Sequence, residues 1–133
     1  YGDAGHVFFG VNEQAANSRA LVVLGDERVL LLGGASPAKP SADAGTQSQY
    51  AALAVLRPNG ALDPAYNPSG PRLFDLGGPA TGRAAHMFWA GSLSPDKKHV
   101  AIVGIRGGVV ANADAGTTGT ADQAVFLSLP TGN

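Results

Sequence analysis

The chain of 133 residues carries 9 Lys+Arg against 10 Asp+Glu, a formal net charge of −1, and only 14% of its residues are charged. That balance leaves no broad electrostatic footprint for nucleic acid and no polybasic patch for an anionic membrane, and the absence of cysteine excludes disulfides, thiolate catalysis and Cys-ligated metal. At 44% hydrophobic the composition is that of a chain with a packed core, and no apolar run approaches the roughly 20 residues of a membrane-spanning helix.

Taken in chain order, the apolar segments are short and bounded by Gly, Pro, Asn or Asp, which predicts strands rather than helices. Val7–Gly10, Arg19–Leu24, Arg28–Gly33 and Tyr50–Arg57 form a first group. Arg72–Leu76, His86–Leu93, His99–Ile105 and Gln123–Leu129 form a second. Gly25-Asp26-Glu27 and Ser94-Pro95-Asp96-Lys97 read as tight hairpin links. The third and fourth strands of each group are separated by a long loop of small and polar residues, Ala35–Gln49 and Arg106–Asp122. Loops of that length are uncommon unless functional or mobile.

The two groups are similar to each other. Val29-Leu-Leu-Leu-Gly33 matches Val100-Ala-Ile-Val-Gly104, and Ala42-Asp-Ala-Gly-Thr46 recurs identically as Ala113-Asp-Ala-Gly-Thr117. Ala52 to Gly60 matches Ala124 to Gly132, and Tyr1 to Gly10 lies over Tyr66 to Asp75. Four matches in one order at nearly constant spacing predict two copies of one unit, residues 1–65 and 66–133, in one structural domain. Four antiparallel strands in tandem are the pattern of a β-propeller blade. A lone sheet can cover its apolar faces only with another sheet, so two tandem blades are expected to be completed by further blades of a longer parent chain or by self-association.

Leu53-Ala-Val-Leu-Arg-Pro-Asn-Gly-Ala-Leu-Asp-Pro-Ala-Tyr66, followed by Gly70 and an apolar strand, resembles the signature of the delta-60 repeat family. Tyr1-Gly-Asp-Ala-Gly-His-Val looks like the tail of the same signature. Ser94-Pro-Asp-Lys-Lys-His-Val-Ala-Ile-Val-Gly104 resembles the family's hairpin, with Lys97 in place of its usual turn glycine. The resemblance implies propeller-like repeats in secreted or surface proteins of bacteria, with no catalytic residues belonging to the repeat. The start at Tyr1, without an initiator Met or signal peptide, reads as a processed product or fragment, with export and cleavage the favoured origin. Because Asn133 corresponds to Ala61 and Tyr1 to Tyr66, the ends fall in the linker between units, which suits either a chain continuing across copies in a ring or filament or a longer propeller trimmed at that linker.

Little in the sequence points to catalysis. His6, His86 and His99 show no metal-ligand spacing and stand near no carboxylate cluster, so they read as structural or exposed. Gly91-Ser-Leu-Ser-Pro95 lacks the second glycine of a nucleophile elbow. Asp63, Asp75 and Asp96 are the candidates for a hydrolase's paired carboxylates, but Asp63 and Asp96 sit in turns where Asp caps backbone. Asp43 and Asp114, equivalent positions of the duplicated loop, are the candidate Ca²⁺ ligands, although each loop carries fewer carboxylates than a tight site uses. Thr46, Ser48, Thr117, Thr118 and Thr120 make those loops candidates for glycosylation. Trp89, beside His86, is the candidate sugar-stacking residue. Its counterpart in the first unit aligns as Ser18, and a repeated sugar site should be repeated, so packing is the favoured role.

The expectation is therefore an exported, non-enzymatic structural or adhesive building block that self-associates, without cofactor. A carbohydrate-binding module that recognises glycans is the second reading and a hydrolase a distant third.

Overall fold

The computed structural model describes residues 16–36, 48–77, 83–112, 116–119 and 123–131. These residues are all-β, with ten strands and no helix. They are β1 (Ala16–Val23), β2 (Val29–Ala35), β3 (Tyr50–Leu56), β4 (Arg72–Phe74), β5 (Arg83–Ala84), β6 (Met87–Leu93), β7 (His99–Arg106), β8 (Gly108–Asn112), β9 (Gly116–Gly119) and β10 (Gln123–Pro130).

The first sheet is an antiparallel meander in the order β1-β2-β3-β4, and the second has the order β10-β7-β6, also antiparallel. A smaller sheet, β5-β8-β9, stands beside them. Two four-stranded sheets are therefore not what the described residues form. The segment expected to open the second sheet, Arg72–Phe74, pairs instead with β3 of the first, Leu53 against Arg72 and Ala51 against Phe74. The cause is local. The turn through Asp63–Asn67 reverses the chain beside β3, whose free edge would otherwise leave a row of backbone groups unpaired, and a short loop closes at less entropic cost than a crossing to the other sheet. The expected loop Arg106–Asp122 is also partly structured, since β8 and β9 form a hairpin within it. Val109 and Val110, adjacent β-branched residues, suit a strand and are the signal for β8. The predicted strand Val7–Gly10 lies outside the described residues.

Strand alternation sets the core. Val22, Leu30, Leu32, Leu53 and Val55 project from one face of the first sheet onto Phe88, Val100 and Ile102 of the second, with Phe74, Leu93, Leu127 and Leu129 packed at the margin. Phe88 and Ile102 are fully buried, and burying side chains of this size stabilises by about 1.5–3 kcal/mol each. Phe74 meets Phe88 edge-on with centroids 5.5 Å apart. The sheets approach closely at Gly91, where a Cβ would come 2.7 Å from Leu32 Cδ1. β3 is buried throughout Ala51–Leu56, which explains its uninterrupted apolar sequence.

The hairpins β1–β2 and β6–β7 share three devices. Each has one β-bulge: Arg19 is the extra residue between the pairs Ser18–Gly33 and Ala20–Leu32, and Trp89 the extra residue between Phe88–Gly104 and Ala90–Val103. Opposite each bulge stands a glycine, Gly33 or Gly104, whose Cβ would overlap the partner strand's backbone carbonyl at Asn17 or Met87. Each turn contains one non-glycine residue in the left-handed region, Glu27 at φ 68° and Lys97 at φ 60°. The second turn is longer by one residue: Ser94 and His99 close it, whereas Leu24 and Arg28 close the first. That extra residue shifts the ungapped alignment across the hairpin, so the bulge places Arg19, not Ser18, opposite Trp89.

Candidate functional site

The outward faces of the two sheets carry the most distinctive surface. On the first sheet Leu21 is 62% and Val23 58% exposed; on the second, Phe126 is 70%, Val103 46% and Trp89 44% exposed. Val103 and Phe126 are cross-strand partners, so they form a continuous apolar strip rather than isolated residues. The bulge turns Trp89 out of regular alternation, and the Arg19 guanidinium lies over its ring, 4.8 Å from the centroid. Arg19 Nε also donates to Met87 Sδ at 3.2 Å. The two bulge residues thus bridge the sheets, and one face of the indole is engaged by a cation.

His86 is fully buried, consistent with a structural histidine, and neither ring nitrogen has a hydrogen-bond partner. Its backbone N–H donates to the carbonyl of Gln49, and its ring stands edge-on to Tyr50 at 6.1 Å. Nε2 is 3.5 Å from Asp75 Oδ1. Burial pushes the imidazole pKa below its ordinary value; attraction to Asp75 opposes this without overcoming it, and the charge of Arg106 adds to the lowering. His86 is therefore held neutral. Its side chain is buried, whereas Trp89 stands partly exposed.

The signature-like turn has a structural role. Asp63 accepts from the Ala65 backbone N–H at 3.1 Å and from Arg28 Nη1 at 3.0 Å. Burial would raise its pKa, but the Arg28 hydrogen bond, the Ala65 N–H and the charges of Arg28 and Arg57 outweigh burial and hold the carboxyl below the usual carboxylate range. Asn67 Nδ2 donates to the carbonyls of Val55 and Asp63. Asp96 accepts from the Ser94 hydroxyl and the Lys98 N–H, which lower its pKa, and Asp75 accepts from the Gly77 N–H. Each carboxylate considered for catalysis is thus engaged in local structure.

Among the other candidates, Asp43, Asp114, Thr46 and Thr120 lie outside the described residues, as does His6. Thr117 and Thr118 belong to β9, and Ser48 precedes the bridge at Gln49. Among the described residues no group of three His, Asp or Glu side chains is arranged to hold a metal ion, and no helix is long and apolar enough to cross a membrane. A cavity of about 90 Å³ between the sheets is lined mainly by Leu24, Leu30, Leu53, Val55, Val100 and Leu129. Tyr66, Arg72 and Thr131 also line it, and no carboxylate or histidine is among the lining residues. Sequence reasoning missed Arg28 and Arg19. The signal for Arg28 is that a buried aspartate in a turn requires a cation; Arg19 carries no sequence signal, since its role depends on a bulge.

No family model matches the chain, and neither a curated protein nor a solved structure matches it.

Proposed function

We propose that this protein is an exported, non-enzymatic structural or adhesive building block whose blade-like sheets are completed by further sheets, supplied by copies of itself or by a longer parent chain. The observation that carries this reading is the placement of exposed Leu21 and Val23 on one outward face of the stack and exposed Val103 and Phe126 on the opposite one. Apolar side chains on both outer faces are what a stack of sheets leaves bare at its two ends. The matched bulges, bulge glycines and left-handed turn residues support a shared origin for the two hairpins. The structural ties of Asp63, Asp75 and Asp96 favour a scaffold over a hydrolase.

Light scattering over a range of concentrations tests the proposal. A mass that rises above the monomer with concentration is the expected result, and a monomer throughout overturns self-association. The exposed edge of Trp89 favours carbohydrate binding as a second reading. That reading requires glycan capture by the intact chain and its loss in Trp89→Ala.

A further inference from the structure

The hairpins β1–β2 and β6–β7 superpose in only one register, because the single bulge in each fixes it. Arg19 falls on Trp89 and Gly33 on Gly104. Following the pairs outward, Leu21 falls on Gly91, Val23 on Leu93, Leu31 on Ile102 and, through the third strand, Leu56 on Leu129. In this superposition the faces do not match. Leu93, Ile102 and Leu129 point into the core between the sheets, whereas Leu21, Val23 and Leu31 lie on the first sheet's outward side. Conversely, the core residues Val22, Leu32 and Leu53 fall on Ser92, Val103 and Phe126, which occupy the outward side of the second sheet.

The sheets are therefore stacked face to back. A two-fold sandwich would bury the same face of both. The turns agree: a Cβ on Gly25 would come 3.0 Å from Lys97 Cδ, so both hairpin turns lie side by side at one end. The contact within the chain thus has two counterparts at the surface, the one on the first sheet confined to β1 and β2 because the outward residues of β3, Ala52, Ala54 and Leu56, are already buried. The outward side of the first sheet is the counterpart of the second sheet's buried side, and the outward side of the second is the counterpart of the first's buried side.

Side-chain size fits the same pairing. Inside the chain, Gly91 makes room for the larger Leu32 and Val22. At the outer faces the sizes are reversed: Leu21 stands at the position of Gly91, while Val103 and Ser92 stand at the positions of Leu32 and Val22.

We infer that a second copy of this chain docks head to tail: the outward side of its β6-β7-β10 sheet covers the outward side of the β1–β2 hairpin of its neighbour, where Leu21 and Val23 stand exposed, repeating the internal contact. The inference rests on the self-association reading and specifies which faces meet. Such a heterologous contact extends into a ring or filament rather than stopping at a two-fold dimer.

Complementary variants test it. Leu21→Glu disables the first sheet's outer face, and Phe126→Glu disables the second's. Both residues are exposed, and circular dichroism verifies that each variant retains its β structure; Val23→Glu and Val103→Glu form a replacement pair. The unmodified chain is expected to grow beyond a dimer in sedimentation velocity. Each variant alone is expected to be monomeric, and an equimolar mixture to form one-to-one pairs of twice the monomer mass. An assembly of the unmodified chain that stops at a dimer, a variant that still associates alone, or a mixture that stays monomeric overturns the head-to-tail contact while leaving self-association intact. A monomeric unmodified chain overturns both.

Discussion

Arg28 Nη1 donates to Asp63 Oδ2 at 3.0 Å, and this pair joins the first hairpin turn to the turn that follows β3. The same guanidinium donates to Asp26 at 2.6 Å and to the Thr131 carbonyl at 2.8 Å, and it stands 5.0 Å from the Tyr66 ring centroid. Since Thr131 follows β10, one side chain ties both sheets at their turn end. The Leu-Asp-Pro-Ala-Tyr run in this sequence is thereby given a mechanical role: Asp63 receives the cation, and the Tyr66 hydroxyl donates to the Pro130 carbonyl.

Asp63→Ala removes the anion and leaves a largely buried guanidinium short of a partner. Because both side chains are mostly shielded from solvent, the loss is expected to be about 3 kcal/mol. Urea unfolding measures it, with Arg28→Met and the double variant completing a cycle whose coupling energy isolates the pair.

Acid is expected to destabilise the fold in two windows. His86 has a folded pKa below its ordinary 6.5, so the unfolded chain takes up the proton first, and stability falls as pH drops below about 6.5. Asp63 has a folded pKa below its ordinary 3.8; its contribution is complete above that value and is lost as pH falls beneath it. Denaturation midpoints followed from pH 8 to pH 3 should show both steps. In His86→Met the upper step should vanish and the lower one persist.

Gly33→Ala and Gly104→Ala each put a methyl group into a backbone carbonyl across a bulge. Relief requires the bulge to open, so each substitution is expected to cost about 2–4 kcal/mol, in the range of severe overpacking. Equal losses at the two sites, read from thermal unfolding, would follow from their shared geometry.

Lys97→Gly should act in the opposite direction. At φ 60° a lysine bears the steric cost of the left-handed region, about 1–2 kcal/mol, part of which glycine returns as unfolded-state entropy. The net expectation is a stabilisation of about 0.5–1 kcal/mol, measured as a rise in the urea midpoint without a change in slope. Glu27→Gly, at φ 68° in the other turn, should behave alike.

Much of this architecture is legible in the sequence. Alternating or continuous apolar runs at Val29–Gly33, Tyr50–Arg57 and His99–Ile105 mark strands because only a pleated chain puts such residues on a buried face at that spacing. Glycine, proline and aspartate marked both hairpin turns, and Lys97 in a place that favours glycine is accounted for by its positive φ. The assignment of Arg72–Phe74 to a sheet was not legible, because an apolar triplet specifies a strand without specifying its neighbour. Nor was the partnership of Arg19 with Trp89, since ungapped alignment aimed at Ser18 and a bulge leaves no mark in composition.

By itself, then, the sequence determined the strands of the two hairpins together with β3 and β10, the turn chemistry and the need for a second layer, all consequences of local periodicity and of apolar area too large for one sheet to hide. The tertiary structure alone decided which strands share a sheet, that Arg28 closes on Asp63 from a distant turn, and that the sheets stack face to back. Those outcomes depend on contacts between segments far apart in the chain, and a pairing register, once set by a bulge, determines which side of every strand faces inward.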